Sequence, residues 1–129
     1  MKDPTADWVE KAEGDYWVMV REARVTDRPS FDAVCFHAQQ CVEKYAKAFL
    51  QERVVEFERI HDMGYLNSKC ASVDLEFEVY KVDFKLLDSY SVDIRYPGES
   101  AAESDARAAV AIALRLREFI RGKLGLTPQ

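Results

Sequence analysis

Few side chains in this sequence have the reach for chemistry. Arg95 lies in the run Ile94-Arg95-Tyr96-Pro97-Gly98, where proline and glycine end any helix and fix the turn around one cation. An arginine held this way presents a planar fork suited to phosphate or carboxylate. Tyr96 belongs to the same candidate site. The competing use of Arg95 is a structural ion pair to Asp93 or Glu99. His37 and Cys41 stand four apart on one helix face, which is half of a zinc site by spacing. No second pair is visible, so no metal is expected, and the plainer role of His37 is a helix-packing imidazole bonded to a neighbour. Gln39 and Gln40 sit side by side in mid-helix and could read a base or a peptide, or serve as surface helix formers. The ligand- or phosphate-binding candidates are thus Arg95, Tyr96, Gln40 and His37. His61 and Asp62 are adjacent and cannot face each other on a helix, so Asp62 is expected near a helix N-terminus as a favourable charge. No P-loop, dinucleotide loop, nucleophile elbow or carboxylate pair is present, and neither catalytic residue nor cofactor is predicted.

The elements that must position these residues are helices. From Phe31 to Leu50, apolar residues recur at spacings of three and four, and no glycine or proline interrupts. Glu43, Lys44, Lys47 and both glutamines fall off that stripe. The spacing predicts a first helix from about Thr5 to Thr26, capped by Thr5 or Asp7 with Pro4 just outside. Ser30 or Asp27 would cap the long second helix, which continues to about Val54. A short helix begins at His61-Asp62-Met63 and ends near Cys70, with Met63, Leu66 and Cys70 facing inward. A fourth, capped by Ser72 or Asp74, is apolar on two faces: Leu75, Val79, Val82, Leu86 and Tyr90 on one, Phe77, Phe84 and Leu87 on the other. Ser100 and Glu103 would box the last helix, whose Arg115, Arg117, Arg121 and Lys123 read as solvated charge complementing the helix dipole.

The expected fold class is all-α: an up-and-down four-helix bundle with one additional short helix, in a single domain over 1–129 with its core at about 5–123. A length of 129 residues with 48% hydrophobic content supports one core, and 5 Gly with 4 Pro argue against an all-β design. No apolar run approaches a membrane span, the charged N-terminus is no signal peptide, and the expected compartment is the cytoplasm. A net charge of -5 disfavours indiscriminate nucleic-acid binding. Cys35, Cys41 and Cys70 form no C-x-x-C pair and are expected as reduced, packed thiols.

The run FHAQQCVEKYAKAFL resembles the second helix of HEPN domains, HDM their short third helix, and IRYP the stretch before their last. The resemblance covers nearly the whole chain in order. It implies a homodimer pairing near the fourth and fifth helices, a possible nucleotidyltransferase partner in a toxin–antitoxin-like system, and a nucleotide or RNA ligand. Ribonucleases of that family carry R-x4-6-H, in which arginine stabilises phosphate and histidine moves protons. After Arg95 the histidine positions hold Ser100, Ala101 and Ala102, which cannot titrate near neutrality. The resemblance therefore favours a noncatalytic binding module over the alternative, a metal-independent ribonuclease with a departed motif.

Overall fold

The computed structural model describes residues 1–93 and 97–127. Among them the chain forms five α-helices and no strand: α1 (Asp3–Ala23), α2 (Phe31–Glu52), α3 (Met63–Val73), α4 (Lys81–Asp93) and α5 (Glu103–Lys123), with a 3-10 segment, Leu75–Tyr80, leading into α4. No helix of the described residues is long and apolar enough to cross a membrane.

Side-chain bonds fix the helix directions. The α1 end pairs with the α2 start (Ser30 N–H to Glu22, 2.9 Å), and the α1 start with the α2 end (Lys2 N–H to Glu52, 3.0 Å), so these two are antiparallel. Asp32 accepts from Ala101 N–H (2.7 Å) and Tyr45 accepts from Arg121 (2.9 Å), so α5 runs parallel to α2. Asp83 meets Arg115 and Asp74 meets Lys123, which sets the fourth element antiparallel to α5. This is the up-and-down bundle expected of the periodicity, with α2 in its centre.

The boundaries move where local chemistry outweighs the stripe. Neither Thr5 nor Asp7 caps α1. The helix starts at Asp3 with Pro4 in its first turn, where a missing N–H costs nothing, and Lys2 stands at the cap. Ser30 caps α2 as expected, accepting from Ala33 N–H at 3.1 Å. That helix stops at Glu52, because Val54 turns to φ 56°. His61 and Asp62 precede α3 rather than opening it, and Asp62 caps it by accepting from Tyr65 N–H (2.9 Å). Asp74, not Ser72, caps the next segment. No box forms at Ser100; the helix starts two residues later at an Ala102 cap, where only the return half is made, Ala102 N–H donating to Asp105 (2.8 Å).

The core is built from α2 outward, with Tyr45, Phe49 and Leu50 fully enclosed. Phe77 lies between Phe49 and Phe119, at 4.7 and 5.0 Å between ring centres. Met63, Leu66 and Cys70 point inward as expected, and the three cysteines are free and buried. The two faces of the fourth element differ in burial, save that Tyr90, expected on the face with Leu86, is itself buried. Phe77, Phe84 and Leu87 are buried within the subunit, whereas Leu75, Val79, Val82 and Leu86 are exposed, Leu75 and Val79 each at 79%. Phe84 is therefore a core residue.

The cations of α5 are also not simply solvated. Arg117 and Arg121 are buried. Arg117 grips Glu13 with two bonds (2.7 and 2.8 Å) and lies 3.8 Å over the Tyr16 ring. Tyr45 donates to the same carboxylate at 2.5 Å. Burial pushes the Glu13 pKa up, but the bonds from Arg117 and Tyr45 and the charges of Arg117 and Arg121 outweigh it, holding the group below the usual carboxylate value. Lys123 reaches Asp74 (2.8 Å) and Glu76 (3.0 Å), and Arg53 approaches Asp74 at 3.8 Å, so one carboxylate ties together the ends of α2 and α5.

Candidate binding site

Polar side chains run through the interior along α2. Gln39, Glu43 and Lys47 recur at intervals of four and fall in one line, so each can bond the next. Gln39 is fully buried, Glu43 2% exposed and Lys47 6% exposed, against the expectation of surface helix formers off the stripe. Gln40 donates to Gln39 (2.7 Å), Gln39 to Glu43 (3.2 Å), and Lys47 to Glu43 (3.2 Å). A buried carboxylate would be costly alone. Here three side chains donate to it, with His61 Nδ1 the third at 3.1 and 3.3 Å. Against a carboxylate, Nδ1 serves as the donor, which leaves Nε2 of His61 facing outward.

The line ends at an open cleft of about 930 Å3 between the first turns of α1 and the segment after α2. Trp8 and Phe57 form its apolar wall, with ring centres 6.4 Å apart and planes tilted by 59°. Lys47 Nζ lies 5.3 Å from the centre of the Trp8 ring. Glu56, Arg59 and His61 line the same cleft, and all three are exposed. A tilted aromatic wall, the cations Lys47 and Arg59, an imidazole and one anion suit a ligand that carries a ring at one end and a negative charge at the other. They supply no nucleophile beside a base.

Of the four residues that the sequence singled out, Arg95 and Tyr96 lie outside the described residues. His37 and Gln40 are one turn apart on α2 but join different networks. His37 Nδ1 binds Asp15 at 2.8 Å, beside Lys44 at 2.5 Å, while Gln40 feeds the Gln39–Glu43 line. His37 is the helix-packing imidazole of the plainer reading. Cys41 is fully enclosed, and burial raises its thiol pKa, with the charges of Glu13 and Asp15 adding to the effect. Among the described residues no group of three or more His, Cys, Asp and Glu is placed to hold a metal ion. Sequence reasoning missed Trp8, Glu43, Lys47 and Arg59. One signal was there: polar residues recur at 39, 43 and 47, a spacing of four that lines them up along one side of a helix.

The HEPN domain family model matches residues 5–123. The crystal structure of an archaeal HEPN homologue superimposes with a TM-score of 0.73 at 23% identity, over 96% of this chain and 99% of that one. At that identity the likeness speaks for the fold alone. No curated protein matches the chain.

Proposed function

The chain belongs to the HEPN domain family, and from that premise we propose that it is a noncatalytic, single-domain binding module that works as a homodimer and engages a nucleotide or RNA ligand. The observation that carries this reading is the open cleft beside Trp8, which offers cations and an aromatic wall without a nucleophile-and-base pair. The sequence adds its own support: after Arg95, serine and alanines occupy the positions where a proton-handling histidine would stand. A nucleotidyltransferase, as in toxin–antitoxin-like pairs, is the protein partner this reading favours, and the cytoplasm fits its three free thiols.

The exposed ridge Leu75, Val79, Val82 and Leu86 supports the homodimer. Its residues are spaced four, three, four, and a twofold contact needs only one self-complementary patch.

Calorimetry with mononucleotides and short single-stranded RNA, beside a gel assay on total RNA, tests the function. Binding heat without cleavage is expected. Cleavage that co-purifies with the protein and vanishes in Arg95→Ala overturns it in favour of a ribonuclease.

A further inference from the structure

We infer that a groove between the end of α1 and the first half of α5 receives an acidic amphipathic helix from a partner protein. Lower in the bundle these two helices are tied together, where Arg117 binds Glu13 and Arg121 approaches it at 3.8 Å. Toward the start of α5 they leave a groove of about 320 Å3. Phe31 and Val34 of α2 line it, with Ala23 from α1 and Ala106, Val110 and Leu114 from α5. Ala23 ends α1 and Trp8 lies near its start, so this groove is remote from the Trp8 cleft and the inference does not rest on ligand binding there.

Shape argues for a helix. Arg107, Val110, Ala111 and Leu114 all line the groove, spaced three, one and three along α5. They span about 10 Å at a rise of 1.5 Å per residue. An amphipathic helix anchors through side chains at i, i+3, i+4 and i+7, which cover the same length. The alanines of the lining let a partner backbone come close, and Leu114, 44% exposed, offers it an apolar contact. The volume takes a few aliphatic side chains and lies at the bottom of the roughly 300–1,000 Å3 range of pockets that enclose a whole ligand.

Charge selects the partner. The chain carries a net charge of -5, yet the carboxylates at this end are engaged. Glu22 accepts from Ser30 N–H (2.9 Å), Asp32 from Ala101 N–H (2.7 Å) and Asp105 from Ala102 N–H (2.8 Å), and Glu103 pairs with Arg107 at 3.1 Å. Arg21 and Arg24 are exposed at the end of α1, and no carboxylate of the described residues pairs with either. Arg24 directly follows Ala23 and stands one turn beyond Val20, which packs on the core, so it stands at the groove's edge. The ridge segment 75–86, the other exposed apolar face, has three carboxylates against two lysines and offers an acidic helix no such attraction.

Fluorescence anisotropy on the full chain tests this with three labelled synthetic helices. The first has Leu at i, i+3, i+4 and i+7 and Glu at its other exposed positions. The second replaces each Glu with Lys, and the third each Leu with Ser. Saturable micromolar binding of the first is expected, with the other two at least about tenfold weaker. Added salt should weaken the first. Leu114→Asp should abolish binding and Arg24→Glu weaken it several-fold, both at exposed positions and both checked by melting temperature. Val79→Asp, on the ridge, should leave it unchanged. A Lys helix that binds as tightly as the Glu helix overturns the inference, as does binding unmoved by Leu114→Asp or lost in Val79→Asp. So does no binding at hundreds of micromolar. Light scattering that shows growth beyond a dimer, abolished by Leu114→Asp, gives the groove to a second copy of this chain and overturns it too.

Discussion

Glu13 and Arg117 are the residues on which the interior most depends. Each is charged, each is largely removed from water, and each is the other's main partner. Removing one leaves the other partly buried with weaker partners only, which costs about 1–3 kcal/mol. Arg117→Ala should therefore lower stability by that amount in urea unfolding. The paired apolar replacement Glu13→Leu with Arg117→Met should recover most of the loss, because an ion pair in a packed interior is replaceable by well-fitted hydrocarbon. A double variant no more stable than Arg117→Ala would contradict this. The same pair sets an acid limit. The folded-state pKa of Glu13 is held below its unfolded value, so its contribution is complete above the unfolded value, near 4.3. It is lost as pH falls through the lower folded value. Melting temperature should drop on acidification below about pH 4.3, and the drop should be shallower in Glu13→Gln, which has no charge to lose.

At the level of the helices, the fourth element gives the sharpest test. Phe84 is fully buried and Val82 is 75% exposed, two positions apart. Phe84→Ala should cost about 3–5 kcal/mol with no change of oligomeric state. Val82→Asp should leave the melting temperature of the monomer nearly unchanged and shift light scattering from dimer to monomer. A Val82→Asp protein that remains dimeric puts the contact on another face. Helix positions were legible because a three-to-four spacing is a local property: α2 and its Ser30 cap follow from it directly. The pattern could not say which of two apolar faces would be covered, since that depends on where α5 lies. It also misplaced Gln39, Glu43 and Lys47. Reading a stripe assumes one wet face, and α2 has packed neighbours on almost every side. Arg117 and Arg121 were misread for a related reason. Cations in a helix's last turns look like dipole complements until a carboxylate from a remote helix is found beneath them.

For the molecule as a whole, treatment with a chelator should leave the melting temperature unchanged. His37 offers its Nδ1 to Asp15, and Cys41 is sealed, so the i,i+4 pair has no open coordination. A fall of several degrees would reveal a metal contribution to folding. Of the candidate site, the sequence singled out Arg95 and Tyr96, which lie outside the described residues. The cleft within the described residues draws Trp8 from the first helix and Arg59 and His61 from a stretch without periodicity, and no spacing rule links them.

The Glu13–Arg117 bond spans 104 residues of chain. During synthesis α1 and α2 emerge first and can pair through local contacts, which close quickly. Yet Glu13 has no guanidinium until the chain has been made as far as α5. Any hairpin formed earlier holds a carboxylate between two helices with only a phenol to answer it. The fifth helix thus closes the interior, which cannot settle before it arrives. A chain ending at Val110 should be digested rapidly within α1, whereas the full chain resists. Equal protease resistance in the two would show that the first helices close unaided. The arrangement trades an early resting point for a single late, cooperative step, so a stalled or truncated product stays visibly unfinished to whatever degrades such chains.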